Sequence, residues 1–161
     1  MWLVLGAIAG FGVGFLVTPV LARRQPTGKA TLRPADGAEP AARRLDEMIE
    51  AARAAALRIR VRPDGFDVLE QPPAFRDHAI GLHVHDAARV TLSSIKITDT
   101  GSYDLIFTAV LALVPLFGPI TLVATDGEIY RVDGTQNHHD LRSERAGRVT
   151  AKLRDVMSRL R

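Results

Sequence analysis

The chain's first 22 residues carry no charged side chain, and that one feature constrains its folding more than any other. Trp2–Ala22 reads WLVLGAIAGFGVGFLVTPVLA, 21 residues without a charge. Wound as a helix at about 1.5 Å per residue, it reaches about 30 Å, the hydrocarbon thickness of a bilayer. The segment predicts a retained transmembrane anchor over residues 1–22. A cleaved signal peptide is the competing reading, with Val20 and Ala22 suited to a cleavage site. Against it, no Lys or Arg precedes the apolar run, and the run exceeds the usual length of about 7–15 residues. Arg23 and Arg24 follow at once, which by the positive-inside tendency sets the amino terminus outside and the carboxyl-terminal domain in the cytoplasm. The expected location is a bacterial-type inner (plasma) membrane, crossed once.

Gly6, Gly10 and Gly14 recur every four residues and line one face of that helix. Such a face lets a second helix approach closely. It points to other integral membrane subunits or to self-association, although glycine is common in membrane helices generally. The run Gly10-Phe11-Gly12-Val13-Gly14 is no dinucleotide fingerprint, because Phe15 stands where the third glycine belongs.

Residues 23–40 are polar and interrupted by Pro26, Gly28, Pro34, Gly37 and Pro40, so they read as a flexible linker. Arg23, Arg24, Lys29 and Arg33 would favour an anionic leaflet by about 1 kcal/mol each when close to it. Residues 41–161 then read as a cytoplasmic α+β domain. Leu45, Met48, Ile49, Ala52 and Ala56 fall on one face of a helix over residues 41–56. From Leu57 the period becomes two: Leu57, Ile59 and Val61 alternate with Arg58, Arg60 and Arg62. Pro63-Asp64-Gly65 then turns the chain into Phe66–Glu70, a hairpin with its arginines outward. Ala79–His85 and Arg89–Thr98 are further strand candidates.

The stretch Leu105–Ala124 holds 20 residues without a charge. Pro115, Gly118 and Pro119 divide it, its second half is β-branched, and Thr125-Asp126-Gly127 leads into Glu128–Asp133 as a hairpin would. Buried strands are expected here, with a second or re-entrant membrane segment as the alternative. A helix near residues 140–160 closes the chain. Ala146, Val149, Leu153, Val156 and Leu160 form a narrow stripe at alternating spacings of three and four. Residues 141–161 include seven basic and two acidic side chains. Such a helix either docks its stripe on the domain or presents a face to a membrane surface or an anionic partner.

From about Leu57 to Leu160 this order of elements resembles the pleckstrin-homology-like domains of bacterial membrane proteins. ITLVATDGEIYRVDG, followed by the helix through RVTAKLRDVMSRL, is the closest stretch. The resemblance implies a small β-barrel or bent antiparallel sheet with a carboxyl-terminal amphipathic helix, acting as a binding platform. The expected fold class is therefore α+β, with a single transmembrane helix ahead of that body.

Chemistry is sparsely signalled. The 161 residues include no cysteine, which excludes disulfides, thiol nucleophiles and thiolate metal sites. No nucleophile elbow, phosphate loop or zinc-protease motif occurs. His83 and His85 share one face of a predicted strand, and His138 and His139 form a second set, so a metal site on these four is the sharpest chemical possibility. The net charge of +3 comes with no nucleic-acid-reading motif, and no nucleic acid is expected. Arg23, Arg24, Arg58, Arg60, Arg62, Arg145, Arg148 and Lys152 are the candidate contacts to anionic phospholipid or a partner. The sequence thus predicts a membrane-anchored, non-catalytic accessory or scaffold subunit without cofactor. A binding module for anionic lipid or peptide and a metal-dependent protein are the alternatives.

Overall fold

Seven short stretches alternate apolar and polar residues closely enough to pair as strands, and a single sheet gathers all of them. The computed structural model describes residues 29–71, 79–98 and 103–159. In chain order these form β1 (Lys29–Pro34), α1 (Leu45–Ala54), β2 (Ile59–Arg62), β3 (Gly65–Leu69) and β4 (Ala79–His83). A 3-10 turn (Leu92–Ser94), β5 (Lys96–Thr98), α2 (Tyr103–Phe117), β6 (Ile120–Val123), β7 (Ile129–Val132) and α3 (His138–Arg159) complete them. The sheet is open, its order is β2-β3-β4-β5-β1-β6-β7, and its strand pairs are antiparallel. One face carries Leu32, Phe66, Ile80, Leu82, Ile97, Leu122 and Tyr130, all buried. The other presents exposed Thr31, Arg33, Arg60, Lys96 and Arg131. That one-sided patterning is what an antiparallel sheet covered by helices on a single face requires.

β1 lies within the stretch that reads in sequence as a linker. Its apolar inward positions are Ala30 and Leu32, too few for a periodicity to stand out among the prolines. Tertiary pairing supplies the rest. Ala30 sits opposite Ile97 of β5, and Leu32 opposite Leu122 of β6, so β1 joins the two halves of the sheet.

The uncharged stretch after Tyr103 departs from the strand expectation. Its first part is the helix α2, apolar on most sides and buried through Ile106, Phe107, Val110, Leu113 and Phe117. A helix apolar all round belongs in a core, and this one lies across the sheet between α1 and α3. Pro115 falls in its last turn, where it does not interrupt the body of the helix. The stop is Gly118 at φ +73°, whose N–H donates to the Val114 carbonyl at 2.8 Å, a left-handed cap followed by Pro119. The sequence reading took these residues as strand breaks; they are a helix terminus. β6 and β7 then form the hairpin read at residues 120–133.

α1 begins where the Glu47 carboxylate accepts a hydrogen bond from the Arg44 N–H at 3.2 Å. It ends at Ala56, held at φ +55° while its N–H donates to the Arg53 carbonyl at 2.8 Å. Just before α1, Arg43 pairs with Val90 and donates from Nε to the Leu116 carbonyl at 2.9 Å, a cation at the carboxyl-terminal end of α2.

The α+β class stands. Of the two bodies expected, barrel or antiparallel sheet, the structure has the sheet, open and seven-stranded, under three helices rather than one. Among the described residues no helix is long and apolar enough to cross a membrane, which also corrects the single-pass inner-membrane assignment. The expected anchor with Gly6, Gly10 and Gly14, and Arg23 and Arg24 after it, lie outside the described residues.

Candidate functional site

α3 is fastened to the body over its first three turns and then leaves it. Asn137 opens the helix: its Oδ1 accepts from the N–H groups of His139 at 2.8 Å and Asp140 at 3.0 Å, while Asp140 accepts from the Asn137 N–H at 3.0 Å. Leu141 is fully buried, and Arg142 pairs with Asp104 of α2 at 3.3 Å. Arg145 lies 3.3 Å from the centroid of the Tyr103 ring, donates to Tyr130 Oη at 3.1 Å and reaches Asp126 Oδ2 at 2.7 Å. Under it, Phe107 and Tyr130 meet edge to face at 5.1 Å and 71°.

One turn on, Arg148 donates to Glu128 at 3.1 Å and to the Ile129 carbonyl at 3.0 Å, and it also pairs with Glu144. The Ile129 contact occupies an acceptor on the outer edge of β7, which would otherwise be open to another strand. Lys152 pairs with Glu128 as well. Hydrogen bonds from Lys152 and then Arg148 hold the Glu128 carboxyl below the usual carboxylate range. At Asp126, burial pushes the other way, but donation from Arg145 and from the Glu128 N–H outweighs it and lowers the net value.

Beyond Arg148 the Lys152–Glu128 pair is the helix's remaining contact with the body among the described residues. Val149, Leu153, Val156 and Met157 are 41%, 61%, 53% and 59% exposed, four of the six large apolar side chains that stand exposed among the described residues. Ala146 is exposed too, so none of the described stripe residues docks on the domain; Leu141, outside the stripe, is the buried residue of the helix. At about 1.5 Å per residue the free part, residues 149–159, is about 16 Å long.

A second apolar surface lies where α1 crosses α2. Ala51, Ala54, Ala55, Leu111, Ala112 and Pro115 line a groove of about 450 Å³. A neighbouring hollow of about 530 Å³ shares Ala51, Ala54 and Pro115 and is rimmed by Asp46, Glu47 and Glu50. Together their lining combines outward alanines with Leu111, Leu116 and Pro115.

The residues singled out from sequence fall in different places. Arg58 and Arg60 are exposed beside and on the edge strand β2. Arg62 is engaged: its guanidinium grips Asp67, with Nε 2.9 Å from both carboxylate oxygens and Nη2 2.6 Å from one. Asp67 is 6% exposed, so this fork neutralises a nearly buried charge. Arg145, Arg148 and Lys152, read as contacts for an anionic partner, instead bind Asp126, Glu128 and Glu144 of their own chain. His83 is paired through Nδ1 with Asp64 at 3.1 Å, and His85 is exposed past the end of β4. His138 and His139 stack on one another at 4.1 Å. Among the described residues no group of three or more His, Asp or Glu side chains could hold a metal ion.

No family model matches the chain, and neither a curated protein nor a solved structure matches it. The groove and the ring-and-arginine lock of α3 left no local signal in the sequence. Both arise from residues about 20 to 60 positions apart that only the fold brings together.

Proposed function

We propose that this chain is a non-catalytic accessory or scaffold subunit whose α3 is its docking helix for a protein partner. One observation carries the reading: a helix firmly anchored over three turns projects a further stripe of Val149, Leu153, Val156 and Met157 that none of the described residues covers. Exposed apolar side chains aligned on one face mark interaction surfaces far better than scattered ones do. The anchoring supports the same reading. Arg145 and Arg148 fix the helix before it meets a partner, so less freedom is lost on docking. This lock accounts for the shifted pKa values of Asp126, Glu128, Arg145, Arg148 and Lys152, while Arg62 is shifted by Asp67 and Asp133 by Thr135.

A photoreactive residue placed in the full chain at Leu153 or Val156, and as a control at Ala151 on another face, tests the proposal in producing cells. Adducts of defined mass from positions 153 and 156, with little from 151, are expected. Equal labelling from all three positions, or none from any, overturns it.

A further inference from the structure

We infer that the projecting half of α3 docks into the α1–α2 groove of a second copy of this chain, an inference that rests on reading α3 as the docking helix. The described residues leave the α3 stripe and the α1–α2 groove uncovered, and the two are complementary in shape and in charge. Val149, Leu153 and Val156 follow one another at spacings of four and three, a seam suited to one narrow facing surface. Arg154 and Arg159 flank that seam, with Asp155 the one acid among residues 149–159, while Lys152 is held by Glu128 of its own chain. The groove answers with a floor of Ala51, Ala54, Ala112 and Pro115 and a rim of Asp46, Glu47 and Glu50. Short floor side chains allow another helix to come within about 8–10 Å, axis to axis.

The rim acids already have local contacts. Asp46 meets Arg44 at 2.8 Å, Glu50 meets Arg53 at 2.6 Å, and Glu47 accepts from the Arg44 N–H. On the tail, Arg159 meets Asp155 at 2.8 Å. The ion pairs are solvent-exposed, and such pairs are weak enough to rearrange when a partner arrives.

Charge selects this occupant over the simplest alternative. Two tails packed on each other would bring Arg154 and Arg159 of both chains together, whereas tail against groove sets them facing carboxylates. The tail's own groove is not available to it. α3 is one continuous helix locked through Arg145 and Arg148 against β7, so its far end is carried away from the body. Contact of this kind joins two different surfaces, and it closes a two-fold dimer when each copy fills the other's groove.

The absence of cysteine makes a direct test clean. Full-length Leu153→Cys and Ala54→Cys chains, each checked for an unchanged far-UV spectrum, are mixed and gently oxidised. Docking brings the two thiols into disulfide range, so linked dimer should exceed that from either variant alone by about tenfold. Adding Glu47→Lys and Glu50→Lys to the Ala54→Cys chain should reverse most of that gain. Linked dimer from Leu153→Cys alone would establish tail-to-tail packing and overturn the inference while leaving α3 a docking helix. No linked dimer in any mixture, with photo-adducts from positions 153 and 156 to a different protein, overturns self-docking alone. With neither linked dimer nor adducts, both readings fail.

Discussion

Leu32→Ala is the sharpest probe of whether residues 29–34 are structure or tether. Leu32 is 1% exposed and faces Leu122 across the β1–β6 ladder. Truncation removes three carbons, about 2.4 kcal/mol of transfer free energy at about 0.8 kcal/mol per buried methylene. The site is enclosed by strands on both sides, so it cannot collapse freely, and the residual cavity raises the total to about 3–4 kcal/mol. Urea unfolding of the full chain followed by far-UV circular dichroism reads this out. With a slope of about 2 kcal/mol per molar, the midpoint should fall by about 1.5–2 M at unchanged slope. Thr31→Ala and Arg33→Ala, on the solvent face of the same strand, serve as controls and should stay within about 0.5 kcal/mol. A Leu32→Ala midpoint equal to those of the controls would refute the placement of β1 in the sheet.

Three further outcomes follow from individual contacts. Asp126 and Glu128 have carboxyls held below their ordinary range, so the stability they lend is complete above about pH 5 and disappears as pH falls through their lowered values. That stability begins to fall below about pH 5, where the unfolded carboxyls start to protonate, so thermal melts of Asp126→Asn/Glu128→Gln should show a shallower acid limb than the parent, and parallel limbs would count against the lock on α3. Ala56 sits at φ +55°, where a side chain costs about 1 kcal/mol, so Ala56→Gly should raise stability by about 0.5–1 kcal/mol; a loss would contradict the strained cap. A methyl group on Gly65 would meet the Leu82 carbonyl oxygen at 1.9 Å, whereas one on Gly81 meets only the side-chain ends of His83 and Thr98, at 2.5 and 2.6 Å. Gly65→Ala should therefore exceed Gly81→Ala in cost by about 1–3 kcal/mol in the same urea assay, and the reverse order would refute the packing of β3 on β4.

Local pattern was informative wherever an element repeats its signal over several turns or residues. The hairpin at residues 59–69 announces itself by strict alternation around Pro63-Asp64-Gly65, and the hairpin at 120–132 by β-branched residues around Asp126-Gly127. α1 and α3 are legible from helical spacing. β1 was not legible, because two inward residues cannot establish a period. α2 misled: an uncharged run with proline and glycine reads equally as buried strands, a buried helix or a membrane segment, since periodicity vanishes when every face is buried. Arg62, Arg145 and Arg148 misled in another way. In sequence they are free charges; in the fold each has a carboxylate waiting on another element.

What the sequence determined by itself is therefore the set of local choices: an α+β chain without cysteine chemistry, two tight hairpins, and a basic terminal helix with a narrow apolar seam. Those follow from short-range sterics and from which face of each element can be wetted. Only the tertiary structure decided that β1 completes the sheet, that α2 is core, and that the seam of α3 runs past the body into open solvent. Each depends on what lies opposite across the fold, and an opposite face has no representation in the spacing of neighbouring residues. The groove between α1 and α2 belongs to the same class, being a gap between two helices about 60 residues apart.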